Sequence, residues 1–86
     1  MTTETLHFDN ARLAQQLFNH DSHNLQSLET ELGVKATSRE GWIKLEGPAA
    51  DVERAKHLFQ LLETSVKNGT HIRNREFAQA ISVVKD

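Results

Sequence analysis

The order of apolar patterns along the 86-residue chain predicts an α+β fold, with a three-stranded antiparallel sheet and helices packed on one face. Two apolar stripes at helical spacing flank a short polar loop. Two alternating segments then flank a turn at Gly41, and a long helical stripe follows Pro48. The predicted element order is β-α-α-β-β-α plus a C-terminal helical tail. We expect a domain over residues 1–68 and a tail or linker over residues 69–86.

Alternation of apolar and polar residues predicts the three strands. The first contains residues 6–8, after a polar segment, residues 1–4, that is expected to fray. The second begins after Gly33, and the third follows a turn at residues 38–41. Trp42 is out of phase with the apolar residues of the third strand and is expected on the outer face. The inward residues of these two strands are Val34, Ala36, Ile43 and Leu45.

Polar caps and a glycine mark the helix ends. Asp9 or Asn10 is expected to cap the first helix, and Asp21 or Ser22 the second, because each side chain can accept a hydrogen bond from a free amide of the first turn. Gly33 is expected to end the second helix in the left-handed conformation. The three apolar stripes are Ala11, Leu13, Ala14, Leu17 and Phe18; Leu25, Leu28 and Leu32; and Val52, Ala55, Leu58, Phe59, Leu62 and Val66.

The segment after Gly69 differs from the rest of the chain. It contains a predicted short helix over residues 74–84. One side of this helix carries Phe77, Ala78, Ile81 and Val84. This stripe must fold back onto the domain, pair with another copy of the chain, or contact further sequence. A homo-oligomer formed through the tail is one expected assembly.

Charge and composition restrict the function. Residues 1–64 hold six Lys/Arg and ten acids, a charge of -4, whereas residues 65–86 hold four and two, a charge of +2. The resulting net charge of -2 argues against strong electrostatic binding of a polyanion such as a nucleic acid. The absence of cysteine excludes disulfides and thiolate zinc sites. Apolar runs are shorter than a membrane span, so we expect a cytoplasmic protein without a membrane partner.

Two segments resemble parts of a type I K-homology (KH) domain. Residues 24–35 (NLQSLETELGVK) resemble its second helix and second strand, and residues 43–47 (IKLEG) followed by residues 52–55 (VERA) resemble its third strand and last helix. More narrowly, residues 5–14 (TLHFDNARLA), with LEGP at 45–48 and VERA at 52–55, resemble the N-terminal region of PhoH-like proteins, the phosphate-starvation-inducible P-loop ATPases.

The resemblance implies a KH-like accessory module of a bacterial PhoH-like protein. Such a module acts in RNA metabolism by positioning single-stranded RNA or by docking to a downstream P-loop ATPase domain. ATP and Mg²⁺ are then expected only in that ATPase domain, since no Gly-x-x-x-x-Gly-Lys-Ser/Thr motif occurs here. We predict no catalytic residue, cofactor or metal in this chain. The alternative function is a protein-interaction or self-assembly module without nucleic-acid binding.

The loop between the first two helices departs from the KH pattern. KH domains carry a Gly-x-x-Gly loop there, which lets the backbone approach the nucleic acid. The matching positions are His20, Asp21, Ser22 and His23. Their side chains crowd a phosphate and Asp21 repels it, so a plain capping loop is one interpretation. The other is that protonated His20 and His23, with Ser22, contact phosphate below neutral pH. The two histidines are also spaced for a metal, but a further ligand is not evident.

A second candidate nucleic-acid contact lies on the predicted hairpin. Alternation places Lys35 and Lys44 on the same outer face, with Arg39 at the turn and Trp42 beside it. These four residues form a candidate platform on which an unpaired base stacks near positive charge. The alternative is a solvated sheet face whose aromatic residue covers the hairpin edge.

Overall fold

A computed structural model describes residues 1–85, and Asp86, the last residue of the predicted tail, lies outside the described residues. Seven elements follow in the order β-α-α-β-β-α-α, so the predicted α+β class is confirmed. Their bounds are β1 (Thr2–His7), α1 (Ala11–Gln16), α2 (Ser22–Leu32), β2 (Lys35–Arg39), β3 (Trp42–Gly47), α3 (Ala49–Lys67) and α4 (Asn74–Lys85).

The three strands form one antiparallel sheet in the order β1-β3-β2, which makes β3 the central strand. Leu6 of β1 pairs with Ile43, and Ala36 of β2 pairs with Leu45. Ile43 and Leu45 are fully buried on the face that α1, α2 and α3 cover. Because side chains alternate along a strand, the other face of the sheet carries the odd-numbered residues of β1 and β2, which are exposed or half-buried.

The first strand is longer than the sequence predicts. It begins at Thr2, which pairs with Gly47, and Glu4 pairs with Leu45. The prediction that residues 1–4 fray is therefore wrong for all but Met1. The polar residues 2–4 form a strand because their backbone groups can hydrogen-bond to the central strand β3. Their own sequence does not show that this pairing partner is present.

The predicted caps of the first two helices are confirmed. Asn10 caps α1 by accepting a hydrogen bond from the Leu13 amide at 2.8 Å. Asp21 caps α2, and Gly33 ends it with a φ of 73°. Ala11 was expected in the apolar stripe but is exposed, as is Arg12 beside it in the first turn of α1.

The tail helix α4 folds back onto the domain, which selects the first of the three expected arrangements. It packs against α2 and α3 and buries Phe77, Ile81 and Val84. The Phe77 ring meets the Phe59 ring edge-on, with centroids 6.3 Å apart. Ala78 was expected on this side but is exposed, since the helix is rotated so that Ala80 contacts the core instead.

One hydrophobic cluster joins all of these elements. It combines the stripes of the four helices with the inward residues of the sheet, so α4 and the first 68 residues share a core. Its buried members are Leu13, Leu17, Phe18, Leu25, Leu28, Leu32, Val34, Ile43, Leu45, Val52, Ala55, Leu58, Phe59, Leu62, Ile72, Phe77, Ile81 and Val84. Among the described residues, no helix is long and apolar enough to cross a membrane.

Candidate nucleic-acid interface

The loop between α1 and α2 is held by backbone hydrogen bonds that do not need glycine. Asn19 and His20 have positive φ angles of 58° and 54°. The Asn19 amide donates to the Gln16 carbonyl at 3.3 Å and the His20 amide to the Gln15 carbonyl at 2.9 Å. This is the Schellman pattern, in which a left-handed residue closes a helix, and asparagine is the residue that best replaces glycine there.

Asp21 occupies the point at which a phosphate would approach α2. Its carboxylate accepts a hydrogen bond from the His23 amide at 2.9 Å and lies 3.2 Å from the His23 Nδ1 atom. The hydrogen bond from the His23 backbone lowers the pKa of the Asp21 carboxyl below its ordinary value. A negative charge therefore already occupies the positive end of the helix dipole, and it repels a second anion.

Asn74, at the start of α4, ties the loop to the tail. Its Oδ1 atom accepts hydrogen bonds from the side-chain amides of Asn24, at 2.9 Å, and Asn19, at 3.1 Å. Asn24 also donates to the Phe18 carbonyl at 2.9 Å and is the buried polar residue of the described chain. The Asn74 amide lies 3.4 Å from an Asp21 carboxylate oxygen. We call Asn19, Asp21, Asn24 and Asn74 the asparagine clamp.

The predicted loop contacts are placed at the surface but do not converge on one ligand position. His20 Nδ1 lies 3.0 Å from the Gln15 side-chain oxygen, whereas His23 faces Asp21. Ser22 is exposed at the first turn of α2. Among residues 1–85, no three histidine or acidic side chains come together in a way that could hold a metal ion.

The outer face of the sheet gathers the other four predicted residues. Trp42 pairs with His7 of β1 on one side and with Arg39 of β2 on the other. Lys44 follows on the same face between Thr5 and Thr37, and Lys35 lies opposite Glu46 at the far end. We call Lys35, Arg39, Trp42 and Lys44, with His7, the sheet platform. The predicted placement of Lys35 and Lys44 on one outer face is confirmed.

The cations of the sheet platform are only lightly neutralised. Lys44 lies 3.9 Å from the Glu46 carboxylate, a long contact between half-buried residues whose side chains still reach solvent. Arg39 and Lys35 form no ion pair with any residue in the described range 1–85, and both are exposed. Trp42 is half-buried in the middle strand, so part of its side chain is accessible to solvent.

A groove between α2 and β2 connects the two predicted surfaces. Its volume is about 260 Å³, and Leu25 and Ala36 supply its apolar surface. Ser22, Gln26 and Glu29 line the helix side, and Lys35 lines the strand side. Ser22 and Lys35 are thus the predicted loop and sheet residues that border the same cavity.

Sequence reasoning missed the asparagine clamp and the groove. The clamp joins residues that are 50 or more positions apart, for example Asn24 and Asn74, so no local pattern reveals it. Asn19 carries a weak signal, because asparagine directly after a helical stripe is typical of a left-handed helix end. Glu29 carries no such signal, because only the packing of α2 beside β2 places it in a groove.

Comparisons of this chain with protein-family models, with curated proteins and with solved structures found no match.

Proposed function

We propose that this chain is a KH-like module of type I that positions single-stranded RNA for a P-loop ATPase of the PhoH-like kind in the bacterial cytoplasm. The element order β-α-α-β-β-α and the antiparallel sheet order β1-β3-β2 support the KH-like part of this proposal. The resemblance of residues 5–14 and 45–55 to PhoH-like proteins supports the ATPase partner. ATP and Mg²⁺ belong to that partner, and this chain contributes binding rather than catalysis.

The observation that carries the RNA contact is the position of Trp42 between His7 and Arg39 on an uncovered sheet face. An aromatic ring stacks on any unpaired base, and such a contact is worth about 1–3 kcal/mol per base. Arg39 lies directly across the sheet from Trp42, and Lys44 lies two residues along β3 on the same face, so both can approach the flanking phosphates. Three cations attract only a few phosphates, so binding is weak and depends strongly on salt.

The α1–α2 loop is not the RNA contact in this proposal. Glycine is absent from it, and Asp21 already caps α2. Asn74 further ties the loop to α4. A phosphate at this point would face the Asp21 carboxylate and would have to displace hydrogen bonds that the fold itself uses.

Fluorescence anisotropy of a labelled short oligouridine in low salt tests the proposal. We expect Trp42→Ala to weaken binding by about 1–3 kcal/mol, and Arg39→Ala with Lys44→Ala to weaken it and reduce its salt dependence. His20→Ala with His23→Ala should leave the affinity unchanged.

The matched control is Arg12→Ala with Lys56→Ala, which removes two cations from other surfaces of the domain. If this pair weakens binding as much as the platform pair does, the attraction is unspecific and the proposed site is wrong. If the wild-type protein does not bind oligouridine at low salt, RNA positioning is excluded.

A further inference from the structure

We propose a second binding site, at which an extended peptide of a partner protein adds to the free edge of β2 as a fourth strand. This site uses the backbone edge of β2 and the groove beside α2, and it shares Lys35 and Arg39, but not Trp42 or Lys44, with the sheet platform. It gives a role to two features that RNA binding does not use, namely the open edge of β2 and the Glu29 carboxylate beside the groove.

The backbone of β2 provides the first argument. β2 is an outer strand of the sheet, and Arg39 and Trp42 pair directly across the two-residue turn that joins it to β3. Such a pair is hydrogen-bonded, and the alternation of the antiparallel ladder then directs the N–H and C=O groups of Ala36 and Ser38 away from β3. Within residues 1–85, the backbone of residues 35–39 forms no hydrogen bond outside the sheet.

The groove provides the second argument. An added strand would alternate its side chains between the two faces of the sheet, and those on the helix side would enter the groove between β2 and α2. Leu25 and Ala36 offer an apolar surface there, within a volume of about 260 Å³ that suits one or two side chains. The edge of β1 is also open, but the groove described above borders β2, so β2 can offer side-chain selectivity as well as backbone hydrogen bonds.

The charges around the groove define the peptide. Glu29 is exposed on the helix wall and forms no ion pair in the described part of the chain. Lys35, which borders the strand side of the groove, and Arg39 on the outer face of the sheet are exposed cations. The complementary peptide therefore carries an apolar residue and a Lys or Arg on the side that faces the groove, and Asp or Glu on the opposite side. The Glu29 carboxylate disfavours a phosphodiester chain in the same groove.

A second copy of this chain fits the edge less well. If two β2 strands paired antiparallel over all five residues, Lys35 of one copy would lie opposite Arg39 of the other. Like charges directly opposite each other destabilise a strand pair. A peptide with acidic residues on that face removes the repulsion and replaces it with attraction.

Selection from a display library of random peptides, with the purified protein as bait, tests the proposal. We expect the selected peptides to alternate basic or apolar residues with acidic ones. When a selected peptide is added, the NMR signals of the Ala36 and Ser38 amides should shift, and their hydrogen exchange should slow. Glu29→Lys should weaken the affinity for peptides with a basic groove residue.

Two variants separate backbone pairing from other contacts. Ser38→Pro removes an outward N–H group without breaking the ladder to β3, and it should lower the affinity about tenfold. Thr5→Pro is the matched control, because the Thr5 amide points outward from the other edge. A peptide N-methylated at alternate residues tests the same hydrogen bonds with the protein unchanged, and it should bind at least about tenfold more weakly.

The proposal is overturned if no peptide is selected, or if the N-methylated peptide binds as well as the parent. It is also overturned if oligouridine competes for the groove and shifts the same amides, since the groove would then be a nucleic-acid site. Binding of RNA at Trp42 alone leaves peptide binding intact, so the two proposals fail separately.

Discussion

The Asn24 side chain, which is buried, donates a hydrogen bond of 2.9 Å to the Asn74 side chain across 50 residues of sequence. This contact connects the α1–α2 loop to the first turn of α4. The segment after residue 68, which was expected to be a tail or linker, is thereby tied to this loop. The α1–α2 loop consequently helps to hold α4 against the rest of the fold.

Substitution of Asn74 should destabilise the contact between the α1–α2 loop and α4. Asn74→Ala leaves one amide hydrogen of buried Asn24 without its acceptor, which costs about 1–3 kcal/mol. Urea denaturation measures the loss, and hydrogen exchange should show faster opening of residues 17–24. Arg75→Ala, at the next and exposed position, is the control and should change stability by less than about 0.5 kcal/mol. Equal effects of both variants would show that the clamp does not stabilise the loop.

The Asp21 cap makes stability depend on pH. The pKa of Asp21 is lowered from its ordinary value of 3.8, chiefly by the hydrogen bond from the His23 backbone. Its ionised form therefore stabilises the fold above pH 3.8, and this contribution is lost as the pH falls through the lowered pKa.

Asp21→Asn keeps the oxygen acceptor and removes the charge. We expect this variant to have a lower thermal midpoint than wild type at neutral pH, with a difference that shrinks as the pH falls below 3.8. Scanning calorimetry over this range measures it. Glu29→Gln is the control, because within residues 1–85 the Glu29 carboxylate accepts no hydrogen bond from a backbone amide. Its thermal midpoint should not differ from that of wild type in the way that the midpoint of Asp21→Asn does. A difference that does not change with pH would refute the role of the Asp21 charge.

Substitution by alanine should have different effects on stability at Gly47 and at Gly41. A Cβ atom at Gly47 would lie 2.8 Å from the Gly33 carbonyl oxygen, which is backbone and cannot rotate away. Gly47→Ala should therefore destabilise the fold by about 1–3 kcal/mol. Gly41→Ala places its Cβ 3.5 Å from the Phe8 carbonyl, an ordinary contact, and should have a much smaller effect. Similar denaturation midpoints for the two variants would contradict this account.

The tail should behave as part of the domain. Phe77→Ala removes a ring that is 1% exposed and touches Phe59, and such truncations cost about 3–5 kcal/mol. Val83→Ala on the same helix is the control, because Val83 is 65% exposed. Chemical denaturation should show one transition that includes α4. A variant of residues 1–67 should expose the core face that α4 covers.

The same truncation tests self-association. Because the stripe of Phe77, Ile81 and Val84 is buried within its own chain, we expect residues 1–86 to sediment as a monomer. The truncated chain should associate through the apolar face that it exposes. A concentration-dependent dimer of the full chain that Val83→Ala dissociates would instead support assembly through the outer side of α4.

Local patterns in the sequence determined most of the elements. The helix ends depend on neighbouring residues alone. The side chains of Asn10 and Asp21 accept hydrogen bonds from amides of the first turn, and Gly33 adopts the left-handed conformation that ends α2. The alternation around Ile43 and Leu45 likewise fixed which face of the sheet is buried, and hence that Trp42 and Lys44 share the outer face. A period of two or of 3.6 residues is encoded in the chain itself.

Tertiary structure alone decided where α4 lies, that β1 starts at Thr2, and that the α1–α2 loop is fastened by Asn74. Each of these depends on a partner far away in the sequence. An apolar stripe predicts that one side of a helix is buried, but it does not identify the element that buries it. A polar segment forms a strand only when a neighbouring strand pairs with it. The groove beside Glu29 exists for the same reason, since it is formed by two elements whose separation the sequence does not specify.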